Sequence, residues 1–225
     1  MPDRDTPSPQ VLTELPLFPL GTVLFPGALL PLQLFELRYL QMIGECERQG
    51  TGFGVVTLTQ GREVHRPGQA AEQFEAMGTR VQIERIERPQ PGLVMVWCRG
   101  VEKFRIEATQ QRSDGLWLGR VQPLAPEPAV QVPEDLQHLS AQMHQALTHL
   151  SEQASVVPHW AEAWRLQDCS WLSNRWGELL PLPLQMKYRL FALQEPLLRL
   201  ELVGDMVAPS DTTQPRPGQK PPTNS

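Results

Sequence analysis

The chain has 225 residues, enough to bury a sizeable core in one large or two small domains. Its composition, 40% hydrophobic and 20% charged, is globular, and no run approaches the roughly eighteen apolar residues of a membrane span. The net charge is -5, with 13 basic against 14 acidic residues up to position 125 and 7 against 11 beyond it. Neither half is a basic module, which argues against a nucleic-acid stripe.

The first ten residues are polar and proline-rich and read as a frayed tail without the basic and apolar parts of a signal peptide. Residues 15–39 then form an apolar run interrupted by Pro16, Pro19, Pro26 and Pro31. Each internal proline removes a donor and clashes with the preceding turn, so this run predicts short extended pieces, with Gly21 and Pro26-Gly27 as turns. From Glu36 to Gln49 the period changes. Tyr39, Leu40, Ile43 and Cys46 recur at helical spacing, and Gly50 is a C-terminal stop. Phe53 to Thr59 reads as a strand, and residues 60–72 as a polar loop. Strands follow at Thr79–Glu87, with a bulge at Arg85-Ile86, at Leu93–Cys98, at Phe104–Glu107 and at Leu116–Val121. Short strands at this spacing suggest a small barrel or a sandwich with one embedded helix.

Prolines at 123, 126, 128 and 133 mark a stiff connector. Beyond it the period is helical. Leu136, Leu139, Met143, Leu147 and Leu150 form one stripe, Pro183 opens a helix to Gln194, and Pro196 starts a last helix to about Val207. The simplest packing is a bundle of four or five helices, and residues 208–225 read as a disordered tail.

Three blocks resemble a known family. Leu15-Pro16-Leu17-Phe18-Pro19-Leu20-Gly21, Phe25-Pro26-Gly27 and Phe35-Glu36-Leu37-Arg38-Tyr39 are similar to the opening signature of the Lon protease N-terminal domain. Gly78-Thr79 and Gly100–Ile106 resemble its later strands. Trp176–Leu184, Lys187, Glu195-Pro196 and Arg199-Leu200 resemble its helical end. Leu37 stands where the family often has proline, and Lys103, whose ammonium lacks the planar fork of a guanidinium, where it often has arginine. The resemblance covers roughly residues 11–207. It implies an α+β fold, with a PUA-like β pseudobarrel at 11–125 and a helical bundle at 126–207. Full-length Lon proteases continue into ATPase and Ser–Lys peptidase modules. This sequence has no phosphate-cradling Gly-x-x-x-x-Gly-Lys-Ser/Thr loop, and its three lysines, Lys103, Lys187 and Lys220, lie in no peptidase-like context. The expectation is a stand-alone substrate-binding domain that takes unfolded or tagged polypeptide and cleaves nothing.

The residues offer little chemistry of their own. Cys46, Cys98 and Cys169 are too scattered for a disulfide framework or a zinc site and suit a reducing, cytoplasmic compartment. Cys46 and Cys98 read as small core residues. On a helix, His138 and His149 share a face but lie about 16 Å apart, so no metal site is expected, and no cofactor. Arg80, Arg85, Arg88, Arg99, Lys103 and Arg105 alternate with Glu84, Glu87, Glu102 and Glu107, as on a solvated sheet face. The tryptophans remain. They are either core or an aromatic platform for apolar peptide, and Trp97, Trp117, Trp160 and Trp164, with Arg38, are the candidate contacts. The expected place is an apolar groove where the two halves meet. The alternatives are an adaptor for one folded partner, an RNA-binding PUA-like protein and a small-molecule enzyme.

Overall fold

The prolines settle how the first strand sits. In the computed structural model, which describes residues 12–61, 72–153 and 164–207, β1 (Thr13–Leu20) has a different neighbour along each half. Thr13–Leu17 pair antiparallel with β6 (Trp117–Pro123), and Leu17–Leu20 pair parallel with β3 (Phe53–Gln60). Pro16 therefore lies before the β3 pairing begins, and Pro19 after the β6 pairing ends. Each proline occupies a position with one paired neighbour, where its missing N–H breaks no second ladder.

β2 (Leu29–Leu34), β4 (Gln73–Gln90) and β5 (Leu93–Gln111) complete a six-stranded sheet, in the order β2-β5-β4-β3-β1-β6. β6 also pairs with β5, so β1, β3, β4, β5 and β6 close into a ring with β2 outside it. The first half of β5 carries β2, and the second half carries β6. β5 is one strand where the sequence suggests two. Arg99-Gly100-Val101 interrupts the apolar pattern, but the ladder to β4 continues through it. A Cβ on Gly100 would stand 2.7 Å from the Phe25 carbonyl oxygen, so this glycine marks a close approach and not a strand end. The ladder does slip near the expected bulge, but at Glu84, between Ile83 and Arg85, while Arg85 and Ile86 pair regularly with Trp97 and Val96. Gly54 and Gly78 leave room for the Phe104 ring, which packs with Leu15, Leu17, Val56 and Val121.

α1 (Leu37–Gln49) packs Tyr39, Met42, Ile43 and Cys46 into the larger core with Phe18, Phe53, Val81 and Val96. Gly50 ends it with φ +65°, as its place after the stripe predicts. A 3-10 turn (Glu134–Leu136) leads into α2 (Gln137–Gln153), then α3 (Cys169–Leu179), α4 (Leu184–Ala192) and α5 (Pro196–Val207). Leu139, Met143 and Leu147 are buried with Leu172 and Leu200 in a second core, while Leu150 turns outward. Asp168 caps α3 by accepting from the Ser170 and Trp171 amides. α4 stops two residues short of the expected Gln194. The expected tails at 1–10 and 208–225 lie outside the described residues, as does most of the expected polar loop.

The two halves meet over an aromatic contact. Phe25 stands edge-on to Phe191, with centroids 5.7 Å apart, and Gly177 of α3 sits close against the Phe25 ring. The Tyr188 hydroxyl accepts from the Met77 amide at 3.1 Å, and the Arg175 guanidinium donates to the Pro26 carbonyl at 2.7 Å.

Candidate functional site

A groove among the described residues lies within the strand half. It has a volume of about 970 Å³. One wall is the last turn of α1 and the Gly50–Gly52 loop, and the other is the bent stretch of β4 from Arg80 to Ile86. Leu15, Phe104 and Val121 lie beneath it, almost wholly closed off from solvent, and half-buried Pro16 borders it. Gly52 keeps the loop tight, because a Cβ there would stand 1.7 Å from the Val81 carbonyl oxygen. Ile83 and Ile86 are half-buried on the same side.

The rim is charged. Glu14, Glu45, Glu47, Glu84 and Glu102 line the groove, against Arg80 and Arg85. Arg80 already donates to Glu102 at 2.6 Å. Arg85 pairs with Glu87 and lays its guanidinium over the Trp97 ring, 3.8 Å from the centroid. Of the candidate contacts, Trp97 is thus the one beside the groove, half-buried under Arg85.

Arg38 and Trp117 are brought together elsewhere, on Glu72. The Arg38 guanidinium, 5% exposed, donates to Glu72 Oε1 at 2.9 Å, to Glu36 at 3.1 Å and to the Gly115 carbonyl at 3.0 Å. The Trp117 indole donates to Glu72 Oε2 at 2.7 Å and stands edge-on to Phe74. Both side chains therefore have intramolecular partners. Trp164 packs on the helical core and meets His144 edge-on at 5.0 Å. Trp160 lies outside the described residues.

The junction, where the sequence suggests a groove, holds a cluster of buried charge. Glu127, from the proline connector, accepts from Lys103 of β5 at 2.6 Å, from the Arg199 guanidinium of α5 at 2.8 Å and from the Ser170 hydroxyl of α3. Lys103 also donates to the Phe191 and Leu193 carbonyls, and Arg199 to Ser173 and the Leu193 carbonyl. Burial would raise the Glu127 carboxyl, but its two cationic neighbours hold it down at about 2. Burial, aided by Arg199, lowers Lys103 to about 8. Lys103 here makes three single contacts and no fork, so lysine suffices where arginine is more usual. The buried Cys98 thiol is pushed up to about 12, as suits an inert core residue. Among the described residues, no three His, Cys, Asp or Glu side chains gather as a metal site would need, and no helix is long and apolar enough to cross a membrane.

This mixed α+β architecture is that of Lon N-terminal domains. The crystal structure of a Lon N-terminal domain protein from Xanthomonas campestris is 30% identical, with a TM-score of 0.66, covering 86% of this chain and 98% of that one. The N-terminal domain of the Mycobacterium avium complex Lon protease shares the fold at 18% identity, with a TM-score of 0.56, covering 86% of this chain and 97% of the other. Residues 14–208 match the substrate-binding domain of ATP-dependent protease La (LON), and the chain belongs to that family. No curated protein matches it.

Proposed function

We propose that this protein is a polypeptide-binding module that holds non-native segments and does not itself cut them. The observation that carries this reading is the match to a substrate-binding domain over residues 14–208. The groove beside α1 supplies a place: apolar and charged side chains line it together, and Trp97 lies beside it under Arg85. In this reading Trp97 is the aromatic contact, while Arg38 and Trp117 hold the chain around Glu72 and Trp164 belongs to the helical core. Trp160 stays a candidate contact. The reading takes the strand ring as a PUA-like pseudobarrel over 11–125 and the helices over 126–207 as its supporting bundle, with neither an ATPase nor a peptidase part and no cofactor. An acid-rich rim repels an RNA backbone, which favours polypeptide over nucleic acid at this place.

The test is fluorescence anisotropy of a labelled, permanently unfolded protein titrated with the purified chain. Saturable binding is expected, with a loss of roughly tenfold in affinity for Gln82→Trp, which fills the groove from an exposed position. No binding at high-micromolar concentration would remove the reading. Equal binding by the variant would move the site away from the groove.

A further inference from the structure

We infer that the groove selects cationic segments: an extended stretch in which lysine or arginine alternates with apolar residues. The inference deepens the polypeptide-binding reading and rests on it. Three observations converge. First, five glutamates line the groove against two arginines, and both arginines already have carboxylate partners, Glu102 and Glu87. Second, Glu14 has no ion-pair partner among the described residues, while Glu45, Glu47 and Glu84 pair with Arg112, Arg88 and Arg99, none of which lines the groove. The Arg88–Glu47 pair is about half exposed and the other two about a third, and pairs that water reaches in this way exchange partners at little cost. Third, the C-terminal turn of α1 forms one wall, so the negative end of its dipole faces the groove. The basic residue of that turn, Arg48, folds back onto the Gly44 carbonyl.

An extended occupant points alternate side chains to opposite sides. One set would meet the half-buried Pro16, Ile83 and Ile86 on the floor, and the other would meet the glutamates of the rim. A peptide with apolar residues alone satisfies the floor and leaves the rim carboxylates to weak surface pairs. A peptide with acidic residues meets a lining of five glutamates and only two arginines.

The test uses three labelled peptides that alternate leucine with lysine, with glutamine or with glutamate, in anisotropy titrations of the full chain over a salt series. The lysine peptide is expected to bind roughly tenfold tighter than the glutamine peptide, with the glutamate peptide weakest and the spread closing as salt rises. Combining Glu14→Gln with Glu47→Gln, both exposed, narrows the lysine-to-glutamate ratio severalfold. Glu201→Gln, an exposed carboxylate on α5 away from the groove, leaves that ratio as it was. Equal binding of all three peptides overturns the charge selection and leaves polypeptide binding standing. A lysine preference untouched by the double variant also overturns it, because the selection then arises elsewhere. Failure of the peptides and of the unfolded protein together sinks the underlying reading instead.

Discussion

The strand half and the junction with the helices each bury an ion cluster, and the two are unbalanced in opposite directions. Around Arg38 there is one guanidinium for two carboxylates, Glu36 and Glu72. Around Glu127 there is one carboxylate for two cations, Lys103 and Arg199. The first cluster joins α1 to the segment leading into β4 and, through Gly115, to the turn before β6. The second joins β5, α3 and α5. Burying an ion costs more than its partner returns unless the geometry is good and hydrogen bonds complete it. Each cluster therefore depends most on its minority charge, Arg38 in one and Glu127 in the other.

The sharpest way to break this symmetry is Glu127→Gln, which leaves Lys103 and Arg199 buried beside each other. It should cost about 3–5 kcal/mol in urea denaturation. The variant should recover as pH rises, and from a lower pH than in the unmodified protein, because Glu127 no longer holds the Lys103 proton in place. Arg38→Met is the mirror experiment and should cost about 2–4 kcal/mol, less because Glu36 is more exposed. A loss for Arg38→Met well under about 1 kcal/mol would end the comparison.

The unmodified protein sharpens it with a smaller effect. Lys103 is lowered to about 8 in the folded chain, below the 10.5 of an ordinary lysine. Above pH 8 the unfolded state thus holds more protons, and stability should rise with pH by on the order of 1 kcal/mol before pH 9. Beyond pH 9 the buried thiols oppose this: Cys98 stays protonated when folded and ionises when unfolded. Lys103→Met should flatten the difference between pH 7 and 9, followed by thermal melts. The smallest effect belongs to the rim, where Arg80 and Glu102 are each 39% exposed. Arg80→Gln should change stability by under about 0.5 kcal/mol.

Features set by local chemistry were legible in the sequence. Gly50 stops α1, Pro26-Gly27 turns with Gly27 at φ +83°, and Pro196 opens α5, because each depends only on its own backbone. The two anchoring carboxylates were not. Glu72 reads as part of a polar loop and Glu127 as part of a proline connector, and both are buried by partners far away in sequence. Arg38 is 34 residues from Glu72, and Arg199 is 72 from Glu127. No periodicity reports such a contact. Arg38 was visible as a conspicuous basic residue in the Phe-Glu-Leu-Arg-Tyr block, but the same cation serves a ligand or a neighbour equally well on paper. The groove was hidden for a similar reason: its walls come from α1, β4 and both ends of the strand ring, so no single stretch outlines it.

The ring of strands closes only when β6 reaches β1, with Thr13 opposite Val121. On the ribosome, β1 emerges first and must wait for about 100 further residues before that neighbour exists, roughly 5–20 s at ordinary rates of synthesis. β3 arrives earlier and shields the Leu17–Leu20 half, but the Thr13–Leu17 half stays an open edge for the whole interval. Pro16 lies in that half, so the nascent chain carries its own guard against pairing with a stranger while its proper mate is still being made.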